Sequence, residues 1–151
     1  MITLKTEVVI NAPIEVCFDL ARNIDIHTQT VWRHTKERAV DGIQSGMINM
    51  GDTVTFEATH FLIRQRLTSR VIAFERPYGF VDQMISGAFK SMKHTHEFNE
   101  QDGKTCVIDT LQFEAPFGLI GIIVERLILR TYMRKFIVHR NEELKKIAER
   151  L

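Results

Sequence analysis

The sequence predicts an α+β fold: a curved antiparallel sheet of about seven strands gripping a long C-terminal helix, with two short helices after the first strand. Three observations carry this. Between residues 36 and 115, short segments rich in β-branched and aromatic residues are separated by turn residues such as Asp41-Gly42, Arg76-Pro77 and Asp102-Gly103. Beyond Pro116 and Gly118 no further proline occurs, and after Gly121 no glycine, so the chain reads as helix to its end. Within that stretch Leu129, Met133, Phe136, Arg140, Leu144, Ile147 and Leu151 recur every three or four residues. Such a stripe must lie against something, and the sheet is the only large partner.

Taken in order, residues 2–10 (ITLKTEVVI) read as a strand. Asn11 then stands as a helix N-cap candidate, with Ala12 and Pro13 opening a helix that runs to about Arg22. A second short helix is expected at 24–31. Strands are expected at 36–41, 52–63, 65–75, 79–87, 90–99 and 104–115, and their short connections favour an antiparallel meander. The glycine-punctuated stretch 42–51 lacks the Gly-Lys-Ser/Thr of a phosphate loop and leads into no helix, so it reads as a strand connection. No repeat, low-complexity tract or proline-rich linker divides residues 1–151, which read as a single domain.

Composition narrows the function classes. The 151 residues are 44% hydrophobic and 26% charged, enough to bury roughly 70% of the unfolded surface of a chain this long. Twenty basic against nineteen acidic residues leave a net charge of +1, so nothing draws the whole molecule to nucleic acid. The two cysteines, Cys17 and Cys106, have neither disulfide-framework nor zinc-site spacing, which fits a reducing cytoplasm. The start of the chain does not read as a signal region. The longest uninterrupted apolar stretch, Phe117 to Val124, is far short of the roughly 20 residues of a membrane span.

Strand parity selects the side chains that face the helix. In 52–63, Val54, Phe56, Ala58, His60 and Leu62 form the mainly apolar set and are expected inward; in 90–99, Met92, His94, His96 and Phe98 share one face. In 79–87 the set Phe80, Asp82, Met84, Ser86 and its alternative Val81, Gln83, Ile85 are equally mixed, and in 104–115 parity does not choose between the faces of Asp109 and Cys106.

These residues resemble a known family. Arg76-Pro77, Phe80, Asp82, Gly87, Phe89 and His94-Thr95-His96-Glu97-Phe98, followed by Thr105, Asp109, Phe113, Pro116, Gly118 and Arg140, are similar to the bacterial START-like superfamily, also called SRPBCC or helix-grip. It includes proteins described as polyketide cyclase/dehydrase and lipid-transport domains. The resemblance covers essentially the whole chain, and the His-x-His-x-Phe strand followed by Thr-x-x-x-Asp is its most specific part. It implies a hydrophobic-ligand pocket between sheet and helix and no single reaction. Ala88 stands where many relatives have proline, and Met92 where many have tryptophan, which implies a differently shaped pocket.

The candidate ligand-binding residues are therefore Phe56, His60, Asp82, Met84, Met92, His94, His96, Met133, Phe136 and Arg140. Met84, Met92 and Met133 would give an adaptable wall. His94 and His96 have metal-ligand spacing that His60 or Asp82 could complete, yet buried histidines more often serve as hydrogen-bonded core or pocket groups, and no metal or other cofactor is expected. His60, His94, His96, Asp82, Asp109 and Glu114 would suffice for acid/base chemistry, but no spacing pairs a base with a nucleophile. Whether the protein is an enzyme stays open, with a cyclase or dehydratase of a polyketide-like substrate as the alternative to simple binding. Arg140 interrupts the apolar stripe and requires a partner; a sheet carboxylate, Asp82 or Asp109, is the expected one, with a ligand carboxylate or carbonyl as the alternative. From Glu125 to Leu151, eight Lys/Arg against four Glu make a local +4 after an apolar stretch, a pattern open to a solvated basic face or transient membrane contact. The all-round apolar first half of that helix asks for cover from a pocket lid or a homodimer contact.

Overall fold

The computed structural model describes residues 1–151. Strand β1 (Ile2–Ile10) leads into α1 (Ile14–Ala21) and α2 (Ile24–Thr30), and a short 3-10 turn (Arg33–Thr35) precedes β2 (Arg38–Gly42). Strands β3 (Thr53–His60), β4 (Ile63–Glu75), β5 (Gly79–Ser86), β6 (Ser91–Gln101) and β7 (Lys104–Glu114) complete the sheet. The terminal helical stretch comprises α3 (Gly118–Val124), one π-helical turn (Glu125–Leu129) and α4 (Arg130–Arg150). The strand order is β1-β7-β6-β5-β4-β3-β2 with every neighbour antiparallel, so β1 joins the free side of the last strand of the meander. Along β1, alternation puts Ile2, Leu4, Thr6 and Ile10 against the helical layer and leaves Thr3, Lys5, Glu7 and Val9 outside.

Three local expectations are corrected. Asn11 does not cap α1: Pro13 occupies the cap position without a side-chain bond, because its fixed φ already suits the first turn, and the Asn11 backbone N–H instead donates to Glu149. Asn23 is the capping side chain that does form, accepting from the N–H groups of Asp25 and Ile26 ahead of α2. The strand expected at 52–63 stops at His60: Phe61 and Leu62 both take positive φ in the β3–β4 turn, and Leu62 is 99% exposed rather than inward. In the terminal stripe Leu151 is exposed, and the buried face runs through Ile137, Arg140, Asn141, Leu144 and Ala148.

The core sits between α1, the C-terminal half of α4 and the middle of the sheet. Phe18 is its centre, its ring meeting those of Phe74, Phe80 and Phe98 edge-on at 5.4, 5.5 and 5.3 Å. Leu144 and Ala148 of α4 close this end. A second cluster of Ile2, Leu4, Leu111, Phe113 and Ile137 anchors the middle of α4 to β1 and β7.

Candidate ligand site between the sheet and the terminal helix

Beyond that second cluster the helix and sheet diverge around a cavity of about 410 Å³, within the range of small-molecule sites. Phe56 and Ala58 of β3, Leu67 of β4, Met92 of β6 and Leu111 of β7 supply its sheet wall; Leu129, Met133, Phe136 and Ile137 supply the helix wall. Phe61, Ile63, Ala88, Phe89 and Pro116 also border it. Of the sequence-predicted residues, Phe56, His60, Asp82, Met92, His94, Met133, Phe136 and Arg140 lie on the wall, whereas Met84 and His96 do not. Met84 shares the face of Asp82, but β5 stops pairing with β6 after Gln83↔Lys93, so Met84 sits beyond the site, its sulfur against Gly87. His96 lies beneath the wall, stacked between His94 (ring centroids 3.8 Å apart) and Phe80 (4.2 Å).

Register builds the polar floor. Asp82 pairs with His94 across β5–β6, and His96 with Asp109 across β6–β7, which runs a chain of alternating acid and imidazole over three neighbouring strands. His96 Nε2 lies 2.9 Å from Asp82 Oδ2 and its Nδ1 2.8 Å from Asp109 Oδ1. His94 Nε2 is 2.8 Å from that same Asp109 oxygen, and Asn141 on α4 donates to Asp109 Oδ2 at 2.6 Å. Asp109, 2% exposed, is thus fully partnered.

Burial alone would depress the His96 pKa, but the carboxylates on its two sides override that and hold it above the usual value, and both ring nitrogens face a carboxylate, the placement that suits a doubly protonated ring. Burial and then the neighbouring His96 charge push His94 below its usual value, leaving it neutral. Burial would raise both acids, yet hydrogen bonds from the histidines and their charge hold Asp82 low and Asp109 well below the carboxylate range.

Arg140 differs from expectation. It is 5% exposed yet forms no ion pair; Nη2 donates to the Ala21 carbonyl at 3.3 Å. Successive helix residues are rotated by about 100°, so Asn141, not Arg140, points at Asp109, while Asp82 is held by His96. Apart from Thr6 Oγ1, every fully buried side-chain nitrogen or oxygen has a partner. The unpartnered nitrogens of Arg140 and the Nδ1 of His94 therefore border the cavity that both residues line. Glu37, which faces His27 at 3.1 Å, shares this end; burial would raise its pKa, but the His27 charge leads the interactions that lower it. His60, depressed by burial, hydrogen-bonds through Nδ1 to the Tyr132 hydroxyl and stands close enough to Glu37 for their charges to interact.

Sequence reasoning missed Glu37, His27, Tyr132 and Asn141. Asn141 had a signal, since Ile137, Asn141, Leu144 and Ala148 also repeat at helical spacing; Glu37, in the connection ahead of β2, and His27, in the short helix α2, had none. Asp82, His94 and His96 each offer one atom within 4.8 Å of the others, a cation-sized grouping. The Nε2 atoms of both histidines already face carboxylates and His96 Nδ1 faces Asp109 as well, so the donor set is built as a hydrogen-bond chain of acids and imidazoles.

No family model matches the sequence, and no curated protein does. Solved structures do. TTHA0849 from Thermus thermophilus superposes with a TM-score of 0.74 at 17% identity, over 96% of this chain and 95% of that one. A START superfamily protein from Mycobacterium smegmatis gives 0.71 at 12% identity, over 98% and 97% of the two chains. Major latex-like protein 151 of Panax ginseng gives 0.70 at 12% identity, over 97% and 96%. With its seven antiparallel strands closed on one long terminal helix, the chain has the helix-grip fold of START-like, or SRPBCC, proteins.

Proposed function

We propose that the protein binds one small hydrophobic or amphipathic molecule in this cavity. The apolar body would lie against Phe56, Met92, Met133 and Phe136, with a polar oxygen accepting from Arg140. The observation that carries this reading is a mainly apolar cavity whose unpartnered polar groups gather at one end. Asp82 and Glu37 stand at that same end, so a neutral carbonyl or hydroxyl suits Arg140 better than a carboxylate, which like charges would oppose. The free thiols of Cys17 and Cys106 fit the reducing cytoplasm as the place of action. Titration with the neutral dye Nile red tests it: saturation at one site per chain is expected, weakened about tenfold or more when Phe56→Trp fills the space. Equal affinity in that variant would defeat the proposal.

One observation favours catalysis as a second reading. Asp109 accepts from His94 Nε2 and so fixes the tautomer that leaves Nδ1 as a base at the cavity. A proton leaving the carbon beside a ligand carbonyl would pass to Nδ1, and Arg140 would hold the enolate oxygen. Deuterium exchange at the α-carbon of a hydrophobic ketone in heavy water, lost in His94→Gln, supports this reading; buffer-rate exchange rejects it.

A further inference from the structure

The surface around the cavity is as unusual as its floor. Phe117, Leu119, Ile120, Ile123, Leu127 and Ile128, all on α3 and the π-helical turn or just before them, are exposed, Leu119 by 80%. At the β3–β4 turn Phe61, Leu62 and Ile63 are exposed as well. These two sets meet at the cavity: the Phe61 ring packs on Tyr132 in the first turn of α4 at 4.5 Å, Phe61, Ile63, Pro116 and Leu129 all line the cavity, and Phe61 and Ile63 are exposed as well. A soluble monomer seldom exposes an apolar patch of this extent without using it.

We propose that this rim docks the cavity mouth onto an anionic lipid bilayer, a step that takes its purpose from the ligand-binding reading above. The charges choose the occupant. Arg126 and Arg130 are exposed among the apolar residues, and Arg134 and Lys135 follow one turn on. The acid of this stretch, Glu125, is buried and faces the amino group of Met1 at 3.4 Å, so it does not offset them outside. Arg64 and Arg66 at the hairpin share the single carboxylate of Glu57 with Arg38, so a net positive charge remains on that side as well. Apolar side chains interleaved with unpaired cations match an interface of acyl chains beneath anionic headgroups. A second copy of this chain seated on the same patch would instead bring two like-charged surfaces together, each carrying Arg126 and Arg130. No helix is long and apolar enough to cross a membrane, so the contact is peripheral.

The test is cosedimentation of the intact protein with phosphatidylcholine vesicles, with and without about 30% phosphatidylglycerol. The anionic vesicles are expected to bind at least about tenfold more tightly, with binding weakened by added salt. Arg126→Gln and Arg130→Gln should each cost about fivefold, and the double variant Leu119→Glu with Ile123→Glu should abolish binding. All four positions are exposed, and none lines the cavity. Nile red affinity of the same variants without vesicles should not change, which separates failure of docking from failure of the cavity reading. Binding that ignores lipid charge and salt, absence of binding, or a concentration-dependent dimer that the glutamate variant dissolves while vesicles do not bind, would each overturn the proposal.

Discussion

The two halves of α4 rest on one sheet but meet different neighbours. After Arg140, Leu144 and Ala148 are buried against α1 and the Phe18 cluster, and the space between the layers is filled by interlocking rings. Before Arg140, Met133 and Phe136 are only half-buried: Trp32, just after α2, meets the Phe136 ring at 5.3 Å, but the opposing strand residues stand back around a cavity. The Asp–His chain and Arg140 lie at the boundary. The contrast teaches that the protein puts its folding energy at one end and keeps the other hollow, with a polar partition that separates the two.

The largest expected effect breaks the filled end. Phe98→Ala removes a ring that is 1% exposed and packed on Phe18, and should cost about 3–5 kcal/mol in chemical denaturation. Met133→Ala at the hollow end should cost less than about 1 kcal/mol, since its side chain already faces open space. Similar losses at both positions would remove the distinction between the ends.

The partition comes next. Asp109→Ala leaves the His96 cation without one of its two carboxylates and Asn141 without its acceptor, and should cost about 3 kcal/mol. Its pH dependence has a definite sign. His96 is raised, so its contribution is complete below about pH 6.5 and fades as pH rises through its folded value. His94 is lowered, so stability falls as pH drops below about 6.5, where the unfolded chain takes up a proton that the folded one refuses. Asp82 and Asp109 are lowered, so their stabilisation is present above about pH 4 and disappears below it as they are protonated. Denaturation across pH should therefore give a maximum near neutrality that falls on both sides, and His96→Gln should flatten the alkaline limb.

Arg140 gives the smallest effect on stability. With a backbone carbonyl as its hydrogen-bond partner and no ion pair, Arg140→Met should change unfolding by less than about 1 kcal/mol while weakening Nile red binding severalfold. A loss of about 3 kcal/mol would show that the guanidinium serves the fold instead.

Much of this division was legible in the sequence. The turn residues and the glycine-free tail determine the sheet and the terminal helix, and parity places His94, His96 and Phe98 on one inward face because their neighbours Lys93, Thr95 and Glu97 are polar. Asp82 and Asp109 were undecided because both faces of their strands are mixed; what turns them inward is cross-strand pairing with His94 and His96, a long-range fact. The wrong partner for Arg140 has the same origin: spacing marks the stripe, but only the seating of α4 decides that Asn141 reaches Asp109. Leu62 was misplaced because β3 ends in a turn with two left-handed non-glycine residues, which no turn signal marks.

Binding of a small molecule in the cavity is tested most directly by one comparison: Nile red titration of Met133→Trp, which fills the hollow end, beside Leu119→Glu, which alters only the exposed rim. The expected result is one site per chain, weakened about tenfold or more by Met133→Trp with folding intact, and untouched by Leu119→Glu. Affinity retained in Met133→Trp but lost in Leu119→Glu would place the dye on the outer surface and contradict the account.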